Sequence, residues 1–253
     1  MNKTQKIHLI DIGNTSATYG ITLDSKTVKS QSLLINQIPE LVRKNNKSGL
    51  KQENIILISS VVPQSTDYLI SELNARGKFV IYEIGKDIPV PIKSLYEKES
   101  KLGIDRKIDA FGAIKSKKLP CLVFDFGTAL TCDLIDEKGT FLGGLIIPGP
   151  ATSLKSLLNN TAQLPKVFQI KPETGRPYGR NTQDCIQHGV IQAYAAITDG
   201  LIAKLSKEFK KKPHVIITGG FSSFIGEIIQ SKALVNPNHT LESMLTLYLN
   251  WRD

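Results

Sequence analysis

Two short stretches of this chain put a carboxylate, a glycine and a hydroxyl together at the end of an apolar run. In the first, "IHLI" leads into Asp11, Ile12, Gly13, Asn14 and Thr15; in the second, "CLVF" leads into Asp125, Phe126, Gly127 and Thr128, with Thr131 and Asp133 close behind. Such a turn offers a carboxylate for a cation, a glycine whose missing Cβ lets backbone approach an anion, and hydroxyl and amide donors aimed at it. Either stretch alone also reads as an ordinary β-hairpin, because Asp and Gly are common turn residues. The two aspartates lie close to half of the 253-residue chain apart. Two such hairpins facing each other would form a clamp for a polyphosphate. "TGG" (218–220) adds a third close-approach loop after a strand, suited to an adenosine. Neither G-x-x-x-x-G-K-[ST] nor G-x-G-x-x-G occurs, so a Walker loop and a Rossmann fingerprint are both excluded.

The elements that must position these groups repeat as well. Each carboxylate ends a short apolar strand, and a second strand of alternating character follows each turn. "DRKIDAFGAIKSKK" reads as a helix that closes the first half before Leu119 and Pro120. "GGLIIPGPATSLKSLLNN" (143–160) reads as a Gly/Pro-rich loop entering a helix. From Asp184 to Lys210, Ile186, Val190, Tyr194, Ile197, Leu201 and Leu205 recur at the spacing of an amphipathic helix. "HVIITGG" is a buried strand with a double glycine, and "TLESMLTLYLNW" a last helix. The expected class is α/β with mixed sheets: two similar, duplicated domains over 1–119 and 120–253.

Composition is that of a soluble globular chain, 41% hydrophobic and 22% charged. The N-terminal apolar run, Ile7 to Ile10, is too short for a secretory signal, and no stretch approaches a membrane span. The expectation is a cytoplasmic protein with no membrane partner. Net charge is +9, concentrated at "RKNNK" (43–47), "KSKK" (115–118) and "KEFKKK" (207–212). Each cluster ends a helix-like segment or opens a loop, where lysine favours the negative helix end, so a solvated surface is expected rather than a nucleic-acid face. Cys121, Cys132 and Cys185 show no C-x-x-C spacing and read as reduced core thiols. His8, His188, His214 and His239 share no ligand spacing and read as structural.

"DIGNT", "DFGTALT" and "TGG" resemble the two phosphate motifs and the adenosine motif of the superfamily of acetate kinases, sugar kinases, Hsp70 and actin. Four further stretches, "SSVVP" (59–63), "LGIDR" (102–106), "GGLIIPG" (143–149) and "GRNT" (179–182), run in family order and narrow the resemblance to type III pantothenate kinases. It implies two actin-like (ribonuclease H-like) domains and ATP-dependent conversion of pantothenate to 4'-phosphopantothenate, the first step of coenzyme A biosynthesis. It also implies Mg2+, a monovalent cation (K+ or NH4+) and a homodimer. By the same resemblance, Asp11, Ile12, Gly13, Asn14, Thr15, Ser16, Ala17 and Thr18 form the first ATP phosphate loop, with Asp11 on the magnesium side. Thr128 is a further ATP contact. Gly103, Ile104, Asp105 and Arg106 match the substrate motif in which the aspartate is the general base. Asp125 matches the monovalent-cation ligand and Asp133 a further acidic active-site position. Tyr96 matches a substrate-contacting tyrosine, and Thr182 a threonine that reaches pantothenate across the dimer.

The residue types fit independently, since phosphoryl transfer asks for carboxylates for metal, a base at the attacking hydroxyl and a cation for developing charge. Asp11, Asp105 and Arg106 supply that set. Plainer readings stand beside it. Asp105 and Arg106 suit a helix cap, Asp133 an exposed strand position, Asn181 and Thr182 the cap of the long helix, and Tyr96 a packed surface aromatic. Glu99 stands where the family often has proline, and Ile104 where alanine or valine is common. A regulatory paralogue of the Bvg accessory factor kind shares the fold and much of the motif set, and an ATPase or phosphatase of the superfamily is the remaining alternative.

Overall fold

A computed structural model describes residues 6–22, 28–45, 54–161 and 176–252. Asn46 and Lys47 of the first basic cluster lie outside the described residues. The chain divides into two compact units, one of Met1–Lys117 with Asn238–Asp253, the other of Lys118–Pro237.

The first unit is built on strands β1 (Ile7–Ile12), β2 (Ala17–Thr22), β3 (Lys29–Leu33), β4 (Ile55–Ser60) and β5 (Val80–Glu83), in the sheet order β3-β2-β1-β4-β5. The β1–β2 and β2–β3 pairs are antiparallel hairpins, whereas β1–β4 and β4–β5 are parallel. Parallel neighbours need crossovers, and helices α1 (Ile38–Asn45) and α2 (Pro63–Asn74) supply them. A two-residue strand, β6 (Lys93–Ser94), precedes α3 (Ile104–Lys115). Both sheet faces are covered. Ile10, Ile12, Ile56 and Ile58 pack with Val42 of α1 and Leu69 and Leu73 of α2. Ile7, Leu9, Ile55 and Leu57 pack on the other face with Ile108 and Phe111 of α3.

The second unit repeats the plan. Strands β7 (Cys121–Phe126), β8 (Ala129–Ile135), β9 (Thr140–Pro148), β10 (His214–Thr218) and β11 (Leu234–Val235) lie in the order β9-β8-β7-β10-β11, again two antiparallel pairs and then two parallel ones. Helices α4 (Pro150–Asn159) and α5 (Thr182–Leu205) carry the chain from β9 to β10, and α6 (Ser222–Gly226) carries it on to β11. The duplication expected from the paired motifs is thus a duplication of sheet order and strand direction.

Three local expectations differ from the structure. The segment 143–148 is strand, not loop: Leu145, Ile146 and Ile147 pair with Cys132, Thr131 and Leu130, Gly144 and Gly143 pair with Asp133 and Leu134, and the register shift between Leu134 and Ile135 leaves Leu142 as the extra residue. Cys185 is exposed, while Cys121 and Cys132 are buried thiols. Its place near the start of α5 leaves it on the open side of the helix. The last helix, α7 (His239–Arg252), packs in the first unit rather than the second, because Leu241, Met244, Leu245, Leu247 and Tyr248 complete the core shared by β1, β4 and α3. Among the described residues no helix is long and apolar enough to cross a membrane.

Candidate active site

In the first unit, alternation along the strands decides what meets the carboxylates. Ile7 and Leu9 of β1, and Ile55 and Leu57 of β4, point to the face covered by α3. Asp11 and Ser59 continue those two rows by one step each and are direct register partners. Asp11 therefore emerges on the α3 side at the C-terminal end of a parallel strand pair, while Ser59 is fully buried beside it. Helix α3 brings the second carboxylate. Its N-cap is Gly103, not Asp105, and Asp105 sits in the first turn, where the exposed amide dipoles favour negative charge. The Arg106 backbone N–H donates to Asp105 Oδ1 at 2.8 Å. A Cβ on Gly103 would strike that same oxygen, so the glycine before Ile104 leaves room for the aspartate in this orientation.

The charge of Asp105 reaches Asp11. Burial pushes the Asp11 carboxyl up to about 6; the Ser59 hydroxyl works against that shift and the charge of Asp105 adds to it. The Ser59 hydroxyl is thus near enough to favour the Asp11 anion, yet it lies outside hydrogen-bond geometry and has no partner among the described residues. Carboxylate and hydroxyl oxygens are the kinds of donor that hard cations take. Arg106 is buried, with its guanidinium carbon 5.7 Å from the centre of the Tyr96 ring. Tyr96 is itself half-buried, and its backbone N–H donates to Ser94 Oγ at 3.0 Å. Asp11, Ser59, Tyr96, Gly103, Asp105 and Arg106 are thereby linked through β1, β4 and the start of α3.

Within the first phosphate hairpin the structure separates roles that the sequence runs together. Ile12 and Ala17 are buried register partners that anchor the strands, and the Gly13 N–H donates to Ser16 O at 3.0 Å. Asn14, Thr15 and Ser16 form the exposed tip, and Thr18 lies opposite Asp11 on β2.

The second unit repeats the arrangement around Asp125, which ends the row Cys121, Val123, Asp125. Its register partners are Thr131 on β8 and Thr218 on β10. Gly219 follows Thr218 with φ of +88°, and a Cβ there would collide with Asp125 Oδ1 and the Phe126 backbone. The turn Gly127–Thr128 is closed by Gly127 N–H to Ala129 O at 3.0 Å. Thr128 O accepts from Gly149 N–H at 2.9 Å and Thr152 Oγ1 at 2.6 Å, tying the turn to the start of α4 and leaving the Thr128 residue exposed. Asp133 is opposite Val123 on the same face as Asp125, and it is 1% exposed, which rules out the exposed-strand reading.

Thr182 is the first residue of α5. Asn181 does the capping, its Oδ1 accepting from Asp184 N–H at 2.9 Å. The exposed Thr182 borders a groove of 570 Å³ with Leu157, Ile186, Val190 and Ile197. Reasoning from sequence missed Ser59 and Thr218 as site residues, although both lie in quoted motifs. The available signal was a hydroxyl standing where each apolar strand row should end.

Two actin-like α/β units, in each of which five strands follow the same order and a carboxylate stands beside a glycine-containing hairpin, make up the fold. The chain belongs to the type III pantothenate kinase family, whose sequence model matches residues 7–204. Type III pantothenate kinases of Sulfurihydrogenibium sp. and Persephonella marina are 36% and 32% identical to it, over 94% of this chain and 95% and 96% of theirs. Among solved structures, a Campylobacter jejuni protein assigned to the Baf family of transcriptional activators superposes with a TM-score of 0.61 at 22% identity, covering 96% of this chain and 98% of that one. An identity that low carries the fold alone. The chain is therefore a kinase of this family.

Proposed function

We propose that the chain transfers the γ-phosphoryl group of ATP to the primary hydroxyl of pantothenate, with Asp105 as general base and Asp11 on the side of the nucleotide's Mg2+. The observation that carries the reading is the pair Asp11 and Asp105. They come from different elements, are close enough for one charge to raise the other's pKa, and stand beside the buried Arg106. Asp105, fixed by the Arg106 amide, takes the proton of the attacking hydroxyl as bonding to phosphorus develops. Arg106 neutralises charge that grows on the transferring group. The exposed tip Asn14–Ser16 and the Thr128 turn offer amides and hydroxyls to phosphate oxygens. Tyr96 and Gly103–Arg106 form the wall for pantothenate, and Asp133 is the further acidic group behind Asp125. Mg2+, when bound, shields the phosphate oxygens and offsets their charge. Asp125 holds a monovalent cation, K+ or NH4+, that lets this carboxylate stand near phosphate. The active form is a homodimer in which Thr182 reaches the partner's pantothenate.

The test is ADP release measured with and without pantothenate, in potassium and in choline buffers. Release that requires both pantothenate and potassium or ammonium is expected. ADP release without pantothenate would make the chain an ATPase, and salt-dependent DNA binding without ADP release would make it a regulator of the Baf kind.

A further inference from the structure

Ser59 Oγ, Thr218 Oγ1 and Ser222 Oγ are buried and lack a hydrogen-bond partner among the described residues. The first two occupy corresponding places in the duplicated sheets. Ser59 is the register partner of Asp11 on the parallel neighbour of β1, and Thr218 is the register partner of Asp125 on the parallel neighbour of β7. On the antiparallel side the match continues, with Thr18 opposite Asp11 and Thr131 opposite Asp125. Each hairpin carboxylate thus has a hydroxyl residue on both neighbouring strands. Register partners project to the same sheet face, so all three side chains of each trio point one way. The inner hydroxyl of each trio, on Ser59 and on Thr218, is 0% exposed. Gly219 strengthens the case in the second unit, since it holds Asp125 Oδ1 against the backbone that directly follows Thr218.

A buried hydroxyl without a partner costs stability, and an alanine or valine in its place would not. That cost occurs twice, at equivalent positions, in sequences that share no residue there: serine in one half and threonine in the other. What the two have in common is the hydroxyl and its carboxylate neighbour.

We propose that Ser59 and Thr218 are positioning residues, each orienting the carboxylate beside it, Asp11 and Asp125 respectively, toward the cation that the hairpin uses to hold nucleotide phosphate. With the cation bound, the hydroxyl would close the gap and donate to the carboxylate oxygen turned away from the cation, and so fix the direction of the other. It touches neither substrate nor reacting atoms. The proposal rests on the assignment of Asp11 and Asp125 to cations given above, and its test separates the two.

Ser59→Ala and Thr218→Val remove the hydroxyls, and Thr218→Ser keeps one in a smaller side chain that cannot overpack. ADP affinity is measured by calorimetry for each, in Mg2+ against EDTA and in potassium against choline, alongside the unfolding temperature of the ligand-free protein. Ser59→Ala should lose about fivefold or more of the Mg2+-dependent part of the affinity, and Thr218→Val as much of the potassium-dependent part. Affinity without the cation should be unchanged and the ligand-free unfolding temperature equal or higher, while Thr218→Ser should bind like the parent. A smaller loss, an equal loss with and without the cation, or a lowered unfolding temperature overturns the proposal, as does a Thr218→Ser variant as weak as Thr218→Val. A parent whose ADP affinity ignores both cations also overturns it, even where ADP release depends on pantothenate. Cation-dependent affinity with no response to pantothenate would instead sink the kinase reading and leave the positioning role judged by the same variants.

Discussion

At the scale of residues, Asp105 and Asp11 separate cleanly by what each loses. If Asp105 takes the hydroxyl proton, Asp105→Asn removes the base but keeps an acceptor for the Arg106 amide. Turnover should fall by about 100-fold or more with ADP affinity nearly intact, and near-normal turnover would end the assignment. Asp11 bears on stability as well. Burial raises its carboxyl to about 6 in the folded chain from the ordinary 3.8 of an aspartate, so between those pH values the folded state holds more protons than the unfolded one. Stability therefore falls as pH rises through that window, and above about pH 6 the full cost of the buried anion is present. Asp11→Asn should then raise ligand-free stability at pH 7.5 by about 1–3 kcal/mol, less than the shift alone implies because the group keeps some solvent. The gain should vanish near pH 4, as followed by denaturant midpoints in cation-free buffer. A gain that persists at pH 4 would mean that packing, not charge, is responsible. The residues themselves were legible because Asp, Gly and Thr at a turn are chemically suggestive. Ser59 and Thr218 were not, because a hydroxyl in an apolar strand reads as an ordinary strand residue until its register partner is known.

At the scale of elements, the turns tolerate little change while α5 tolerates more, and one substitution type shows both. Gly219 sits at φ +88° against the Asp125 carboxylate and the Phe126 backbone, so Gly219→Ala forces a strained backbone and displaces that carboxylate. It should cost about 1–3 kcal/mol and most of the activity. Gly200, on the exposed side of α5, has nothing within 4 Å of an added Cβ. Gly200→Ala should stabilise by about 0.5–1 kcal/mol, since alanine loses less backbone entropy in a helix. Equal effects at the two positions would refute the reading of Gly219. Element types were visible wherever periodicity and caps agreed, as along α5, where Asn181 caps and Ile186 and Tyr194 are buried. Strand β9 was hidden because Gly143, Gly144 and Pro148 are loop residues by local chemistry, and only pairing with β8 makes the stretch a strand. The place of α7 was hidden too. Its apolar face would suit either half, and nothing local says that β1, β4 and α3 will take it.

At the scale of the whole molecule, the duplicated order β3-β2-β1-β4-β5 and β9-β8-β7-β10-β11 is joined in the second unit by a 24-residue helix, α5, bordering an apolar groove. Ile197 is 37% exposed and Leu157 41% exposed along it, an apolar surface that a second copy would cover in an isologous contact. Thr182 stands at the end of that surface, freed from capping by Asn181. If it completes the partner's pantothenate pocket, each site of the dimer takes Asp105 from one chain and Thr182 from the other. Asp105→Asn and Thr182→Arg would then each be inactive as homodimers, yet a mixed dimer would hold one site with both residues intact. Mixing equal amounts and allowing subunits to exchange should restore about a quarter of parental turnover, because statistically half of the dimers are mixed and each has one working site of two. Coupled ADP-release assays after exchange read the recovery, with sedimentation to establish the dimer and its exchange. An active monomer, or a mixture that stays inactive although exchange is demonstrated, would show that each chain builds its site alone.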